Sequence, residues 1–247
     1  MQKDWCRMMN RTIAYVPSDN DVGVPVVIYR RVVEGLVEGN HWSDPPPHLA
    51  DDLKSIKKAL KGHFYNCQSR RCCYCSIELP NHGASIYLDH VISRRDRPDF
   101  MLSLNNLGAA CGPCNGSKSA KPVLIEGLDV AGVVNVPMDS GAYILVHPQL
   151  DEWADHFELD EFSRIRKTTD KGGKTIEMCG IDKLNAARLS DHFASRDRAE
   201  VVKVITKVGS YKQRARKQRA IQLLRDLAYR GSDKARVAVA RIEMEVI

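Results

Sequence analysis

Two Cys-x-x-Cys pairs, Cys72/Cys75 and Cys111/Cys114, enclose an Asp-His pair, Asp89-His90, and an asparagine, Asn106; a further asparagine, Asn115, follows the last cysteine directly. Thiolates at this spacing are the ligands of a tetrahedral structural zinc site, each short turn supplying two sulfurs. Such a site is closed and does no chemistry of its own. The enclosed carboxylate, imidazole and amide oxygens are of a different kind, able to hold a second, hard cation and to move a proton. Taken singly, an Asp-His pair is an ordinary hydrogen-bonded pair and an asparagine an ordinary turn former. Their joint register between two cysteine pairs carries the information. Cys73 could replace Cys72 only by distorting the first turn, and Cys6, Cys67, Cys73 and Cys179 are scattered, as small core residues are.

The elements around these residues can be read from pattern. Pro25 to Val37 is apolar with two arginines, and its periodicity fits either a short helix or a strand pair. The breaker SDPPPH (43–48) suits the start of a helix over about Leu49 to Phe64, with Leu53, Ile56, Leu60 and Phe64 on one apolar stripe. Ala84 to Leu88 reads as a strand delivering Asp89-His90. SRRDRPDF (93–100) reads as an exposed loop in which Pro98 excludes a helix. A short helix is expected over Asn115 to Ala120, stopped by Pro122. Further on, Tyr143–Val146, His156–Lys167 and Lys174–Met178 read as strands, the last two joined by a turn at Lys171-Gly172-Gly173. Beyond Asp182 the chain reads as one helix to about Lys207, a break near Gly209, a second helix from about Tyr211 to Tyr229, and a third capped by Gly231-Ser232-Asp233.

The chain has 247 residues, 43% hydrophobic and 28% charged, the balance of a soluble globular protein with a real core. The N-terminus MQKDWCRMMN lacks the apolar run of a signal peptide, and no stretch approaches the roughly 18–20 apolar residues of a membrane span. A cytoplasmic protein with no membrane partner is expected. From Ile181 onward there are 16 Lys+Arg against 8 Asp+Glu, so the whole excess of the +6 net charge lies in the last quarter. Lys212, Arg216 and Arg219 fall on one face of the second helix, either a solvated surface or a grip on phosphates. Arg94, Arg95 and Lys118, near the cysteine pairs, divide between the same two roles. The organisation read from these shifts is a mostly helical region 1–68, a zinc-knuckle core 69–122, a mixed strand region 123–180 and a basic helical region 181–247.

The motifs LDHVIS, NNLGAACGPC and CNGSK, spanning about Arg71 to Lys121, resemble the HNH (ββα-metal) endonuclease family in its four-cysteine zinc branch. The resemblance implies an α+β fold, a zinc-stabilised ββα core with a helical, basic C-terminal extension, and metal-dependent hydrolysis of DNA phosphodiesters to 3′-hydroxyl and 5′-phosphate ends. It implies His90 as the general base, Asp89 and the Asn115 carbonyl as ligands of one catalytic cation, and Asn106 as the residue that pins the loop carrying His90. The family's last letter is often His; Asn115 in its place makes the donor set all oxygen, which favours Mg²⁺ or Mn²⁺ beside the thiolate-bound zinc. Ser93 stands where many members have Pro, which touches loop stiffness more than chemistry. The stretch after the core loosely resembles nucleases of Septu-type and retron-associated anti-phage operons, which implies a defence role and an ATPase partner. One site cuts one strand, so a double-strand break requires a homodimer, a partner or two encounters. The rival readings are a non-catalytic zinc-ribbon-like DNA-binding module and an RNA-cleaving HNH toxin.

Overall fold

The computed structural model describes residues 22–36, 41–81 and 85–247. The N-terminal segment with Cys6, and Ala84 of the expected strand, lie outside the described residues. The chain divides into two units. The first comprises the described residues up to Phe157 together with Lys167–Cys179, and the second comprises Glu158–Arg166 with Gly180–Ile247.

In the first unit, Pro25 opens helix α1 (Val26–Gly35), which turns Tyr29 and Val32 inward and resolves the helix-or-strand ambiguity as helix. The proline run ends in a single 3-10 turn, Pro47–Leu49, that leads into α2 (Ala50–Cys67). Asp51 and Asp52 in the first turn of α2 complement the positive end of its dipole. Leu53, Ile56, Leu60 and Phe64 form its buried stripe, each worth roughly 1.5–3 kcal/mol of transfer from water.

Strands β1 (Ile86–His90) and β2 (Leu107–Cys111) pair antiparallel, with Asp89 opposite Gly108 and His90 opposite Leu107. Helix α3 (Gly112–Lys118) follows β2 without a loop, Pro113 sitting in its first turn where the missing N–H costs nothing. The order is therefore strand, strand, helix. Gly108 has a packing reason: a Cβ there would stand 3.3 Å from Cys73 Sγ, so β2 runs close against the first cysteine turn.

Several expectations change in this unit. Pro98 does not exclude a helix but begins one, the 3-10 turn Pro98–Phe100, because the first position needs no N–H. Phe100 is buried there, and the Arg97 guanidinium lies 3.8 Å from its ring centroid. Tyr143–Val146 is not a strand; it contributes only the bridge Leu124–Tyr143. The expected strand Lys174–Met178 is helical, within Asp170–Cys179. Gly172 lies inside that helix, where a Cβ would fall 2.3 Å from the His156 carbonyl oxygen. The glycine marks a close backbone approach, not a turn. Cys67 is exposed, whereas Cys73 and Cys179 are buried.

The regions flanking the cysteine core share its unit. Trp153 Nε1 donates to Tyr74 O at 3.0 Å, Gln149 Nε2 donates to Leu104 O and Leu107 O, and Lys121 Nζ donates to Met178 O at 2.9 Å. These bonds tie Gln149, Trp153 and Met178 to the cysteine core, whereas Glu158–Arg166 belongs to the second unit.

The second unit holds a two-stranded sheet, β3 (Phe157–Leu159) with β4 (Ile165–Lys167), of which the first residue of β3 and the last of β4 belong to the first unit. It continues with the helices Ile181–Ser190, Arg198–Val208, Arg214–Ala228 and Asp233–Val246. The long first helix expected beyond Asp182 is two helices. Phe193 turns into the core between them, and a 3-10 turn, Ser195–Asp197, restarts the chain. Phe162, Leu189, Val201, Leu224 and Ile242 belong to the same apolar cluster. Buried Arg164 is matched by Asp160 at 2.7 Å and Glu245 at 2.8 Å. Across both units the fold is α+β, and no helix among the described residues is long and apolar enough to cross a membrane.

Candidate metal centre and active-site cleft

The first cysteine pair sits on a tight turn closed by Cys72 N to Ile77 O at 2.9 Å and Ser76 N to Cys72 O at 2.9 Å. Cys111 ends β2 and Cys114 lies in the first turn of α3, so the strand-to-helix junction presents both sulfurs on one side. The four Sγ atoms lie within 4.8 Å of one another, with Cys75 and Cys111 at 3.7 Å. A tetrahedron with zinc–sulfur bonds of about 2.3 Å has sulfurs about 3.8 Å apart. The cluster therefore fits a structural zinc in distance, donor type and burial.

One residue of the first turn reaches outside the sulfur cluster. Tyr74, fully buried between Cys73 and Cys75, donates its hydroxyl to Asp89 Oδ2 at 2.6 Å. Asp89 is buried as well, and Lys118 Nζ lies 3.1 Å from the same oxygen and 3.3 Å from Oδ1. Burial raises the Asp89 carboxyl; Lys118 and Tyr74 oppose that shift. Lys118, read from sequence as either a phosphate contact or a solvated residue, has no exposed surface, and its ammonium also donates to the His90 backbone oxygen at 2.6 Å. At the last residue of α3, it is an internal counter-ion, bonded to two consecutive residues of β1.

His90 ends β1, next in sequence to Asp89. Its Nε2 lies 3.0 Å from the Met101 carbonyl oxygen, an acceptor only, so the proton sits on Nε2 and Nδ1 keeps its lone pair. Burial lowers its pKa to about 3, with Met101 pulling the other way and the cations Arg94, Lys118 and Lys57 adding to the drop. The imidazole is thus neutral through the physiological range. Asn106 holds the chain just past it: Oδ1 accepts from Ile92 N at 2.7 Å, and Nδ2 donates to Ile92 O at 3.0 Å and Phe100 O at 3.3 Å. With no exposed surface, Asn106 is a positioning residue and cannot touch a substrate directly.

Asp89, His90 and Asn115 line one cleft of about 970 Å³. Arg94 and Arg95, from the loop after β1, line it too. So does a row of lysines from α2, namely Lys54, Lys57, Lys58 and Lys61, which the sequence reading passed over. Their signal was present as the i, i+3, i+4, i+7 spacing beside the apolar stripe of that helix. Trp42 stands at the same cleft with Lys57 Nζ 4.4 Å from its ring centroid and Arg94 at 6.0 Å, and its ring meets the His90 ring edge-on at 4.7 Å.

For a hard cation, the donors offered are the Asp89 carboxylate and the Asn115 side-chain carbonyl. A carboxylate has about four lone-pair directions, and Tyr74 and Lys118 occupy three contacts, so one remains. Both donors are oxygens, the type that Mg²⁺ or Mn²⁺ takes, and Lys118 already neutralises part of the Asp89 charge.

In the second unit, Gln213 caps the helix that starts at Arg214, which leaves Lys212 ahead of it and off the face it was expected to share. Arg216 and Arg219 are exposed on that helix, whereas Lys217 turns back to Val246 O at 2.6 Å. Compared with family models, curated proteins and solved structures, the chain matches none of them.

Proposed function

We propose that the protein is a metal-dependent endonuclease of the HNH type that hydrolyses DNA phosphodiester bonds. The observation that carries this reading is the cleft itself, which Asp89, His90 and Asn115 line together with a surplus of lysine and arginine. The strand–strand–helix order and the four-cysteine cluster support it.

His90 Nδ1 is free to take the proton of an attacking water because Nε2–H is committed to Met101 O. The imidazole is neutral at every physiological pH, so its lone pair needs no prior deprotonation. Asn106 fixes the segment after His90 and so limits the rotation of that base away from the phosphate. The cleft lysines and arginines draw the polyanion in and hold the scissile group in place. A divalent cation on Asp89 and Asn115 would supply Lewis acidity to the phosphate and to the departing 3′ oxygen.

The test is supercoiled plasmid with Mg²⁺, Mn²⁺ or no added metal, beside His90→Ala. Conversion to nicked or linear DNA by the wild type, abolished in the variant, is the expected result. The Asp89–Lys118 pair favours a second reading, a binding module that needs no cation. Plasmid that is retarded on a gel yet uncut under every metal would establish that reading instead.

A further inference from the structure

The cleft has a lining that plain phosphate recognition does not require. Six cations, Lys54, Lys57, Lys58, Lys61, Arg94 and Arg95, face a single carboxylate, Asp89, which is already paired. Interspersed with them are aromatic rings from separate elements, Tyr65 of α2 and Tyr87 of β1. Tyr87 is the one outward residue between buried Ile86 and Leu88, and 44% of it is exposed. Its ring also lies over Gly112, where a Cβ would come 3.3 Å from Cε2. The bare glycine backbone thus supports the ring at the mouth of the cleft.

We infer that the cleft receives its DNA as an unpaired strand, with Lys54 and Lys58 on backbone phosphates and Tyr87 as the face on which a base stacks. A paired base in a duplex shows only its edges and keeps its π-faces against its neighbours. The ring face of an exposed tyrosine beside a lysine row therefore finds a stacking partner only where a base is unstacked, and every base offers such a face regardless of sequence. Lys54 and Lys58 are exposed and one helical turn apart, so both ammoniums reach the same side. Lys57 is committed to Trp42, both to its ring and to its backbone oxygen, and serves the wall of the cleft. The inference rests on the reading that this cleft holds nucleic acid, and it adds the form in which the strand arrives.

The experiment is fluorescence anisotropy of the full-length protein with a fluorescein-labelled single strand and with the blunt duplex of the same sequence, without added divalent cation. Single-strand affinity about tenfold or more above duplex affinity is expected. Tyr87→Ala should erase that preference and Tyr87→Phe should keep it. The pair Lys54→Glu with Lys58→Glu should weaken both probes and flatten the salt dependence. Tyr87, Lys54 and Lys58 are exposed, and a melting temperature close to that of the wild type checks that each variant is folded. Equal or tighter duplex binding by the wild type overturns the inference, as does a preference that survives Tyr87→Ala. Cleavage is scored separately with Mg²⁺. A strand preference without any cutting removes only the nuclease reading, and cutting of duplex without a strand preference removes only this inference.

Discussion

The Tyr74 hydroxyl, on the residue just before Cys75 in the first cysteine turn, donates a 2.6 Å hydrogen bond to Asp89. The first cysteine turn and the candidate catalytic carboxylate are therefore joined through one side chain. Tyr74→Phe should leave the zinc content at the wild-type value while lowering cleavage about 10- to 100-fold, the worth of a hydrogen bond to a charged group being about 1.5–3 kcal/mol. Metal analysis beside plasmid cleavage checks both halves of the statement.

Zinc itself should be present at about one equivalent per chain and survive dialysis. Cys111→Ser removes one of four sulfurs that lie within 4.8 Å of each other. Reduced solubility and a lower melting temperature should precede any change in the chemistry of the protein that remains folded. A variant with undiminished melting temperature and no zinc would rule out the clamp as a structural element.

Asn106 makes three hydrogen bonds in a site with no solvent. Asn106→Ala removes the partner of both the Ile92 N–H and the Ile92 carbonyl, while Phe100 O keeps the Ser103 N–H, a loss of about 2–4 kcal/mol. Urea denaturation should register that loss. At temperatures where the variant is folded, strand binding should persist while cleavage falls, because Asn106 meets the substrate only through the chain that carries His90.

Lys118→Met leaves buried Asp89 without its cation, and breaking such a pair costs about 3–5 kcal/mol. If Asp89 is also a magnesium ligand, the vacancy left by the ammonium makes the carboxylate a better one. Added Mg²⁺ should then raise the melting temperature of Lys118→Met more than that of the wild type. Equal shifts in thermal scans would count against Asp89 as a ligand.

His147 is wholly buried, and burial lowers its pKa to about 3, with Asp151 opposing and Lys171 adding to the shift. A folded-state pKa below the unfolded value means that the unfolded chain binds the proton first. Stability contributed by this residue is thus complete above about pH 6.5 and is lost progressively as pH falls toward 3, on the order of a few kcal/mol. His147→Gln should show a flatter decline of melting temperature across that window than the wild type, whatever their relative stability at neutral pH.

The residues that could be read from sequence are those whose spacing is itself the constraint. Four thiolates must converge on one point, so Cys72, Cys75, Cys111 and Cys114 were legible, as was the buried stripe Leu53, Ile56, Leu60, Phe64 on α2. Lys118 was not, because a lysine is read as surface unless its buried partner is known, and Asp89 is 29 positions away. The lysines of α2 escaped notice for a related reason. A charged face has no meaning until the fold decides what it looks onto. Gly172 pointed to a turn by composition, whereas its purpose is the carbonyl of His156 beside it, a contact that only tertiary structure creates.

The two cysteine pairs lie on either side of the segment that carries Asp89, His90, Arg94 and Arg95. With a metal on all four sulfurs, that segment is closed into a ring whose halves are cross-linked at its base and zipped by the β1–β2 ladder. A nick at the exposed Arg95 would therefore not part the molecule. The two pieces would travel together on a native column and separate only when the metal is stripped and the chain denatured, which makes the ring a natural place to divide this protein into two complementing halves.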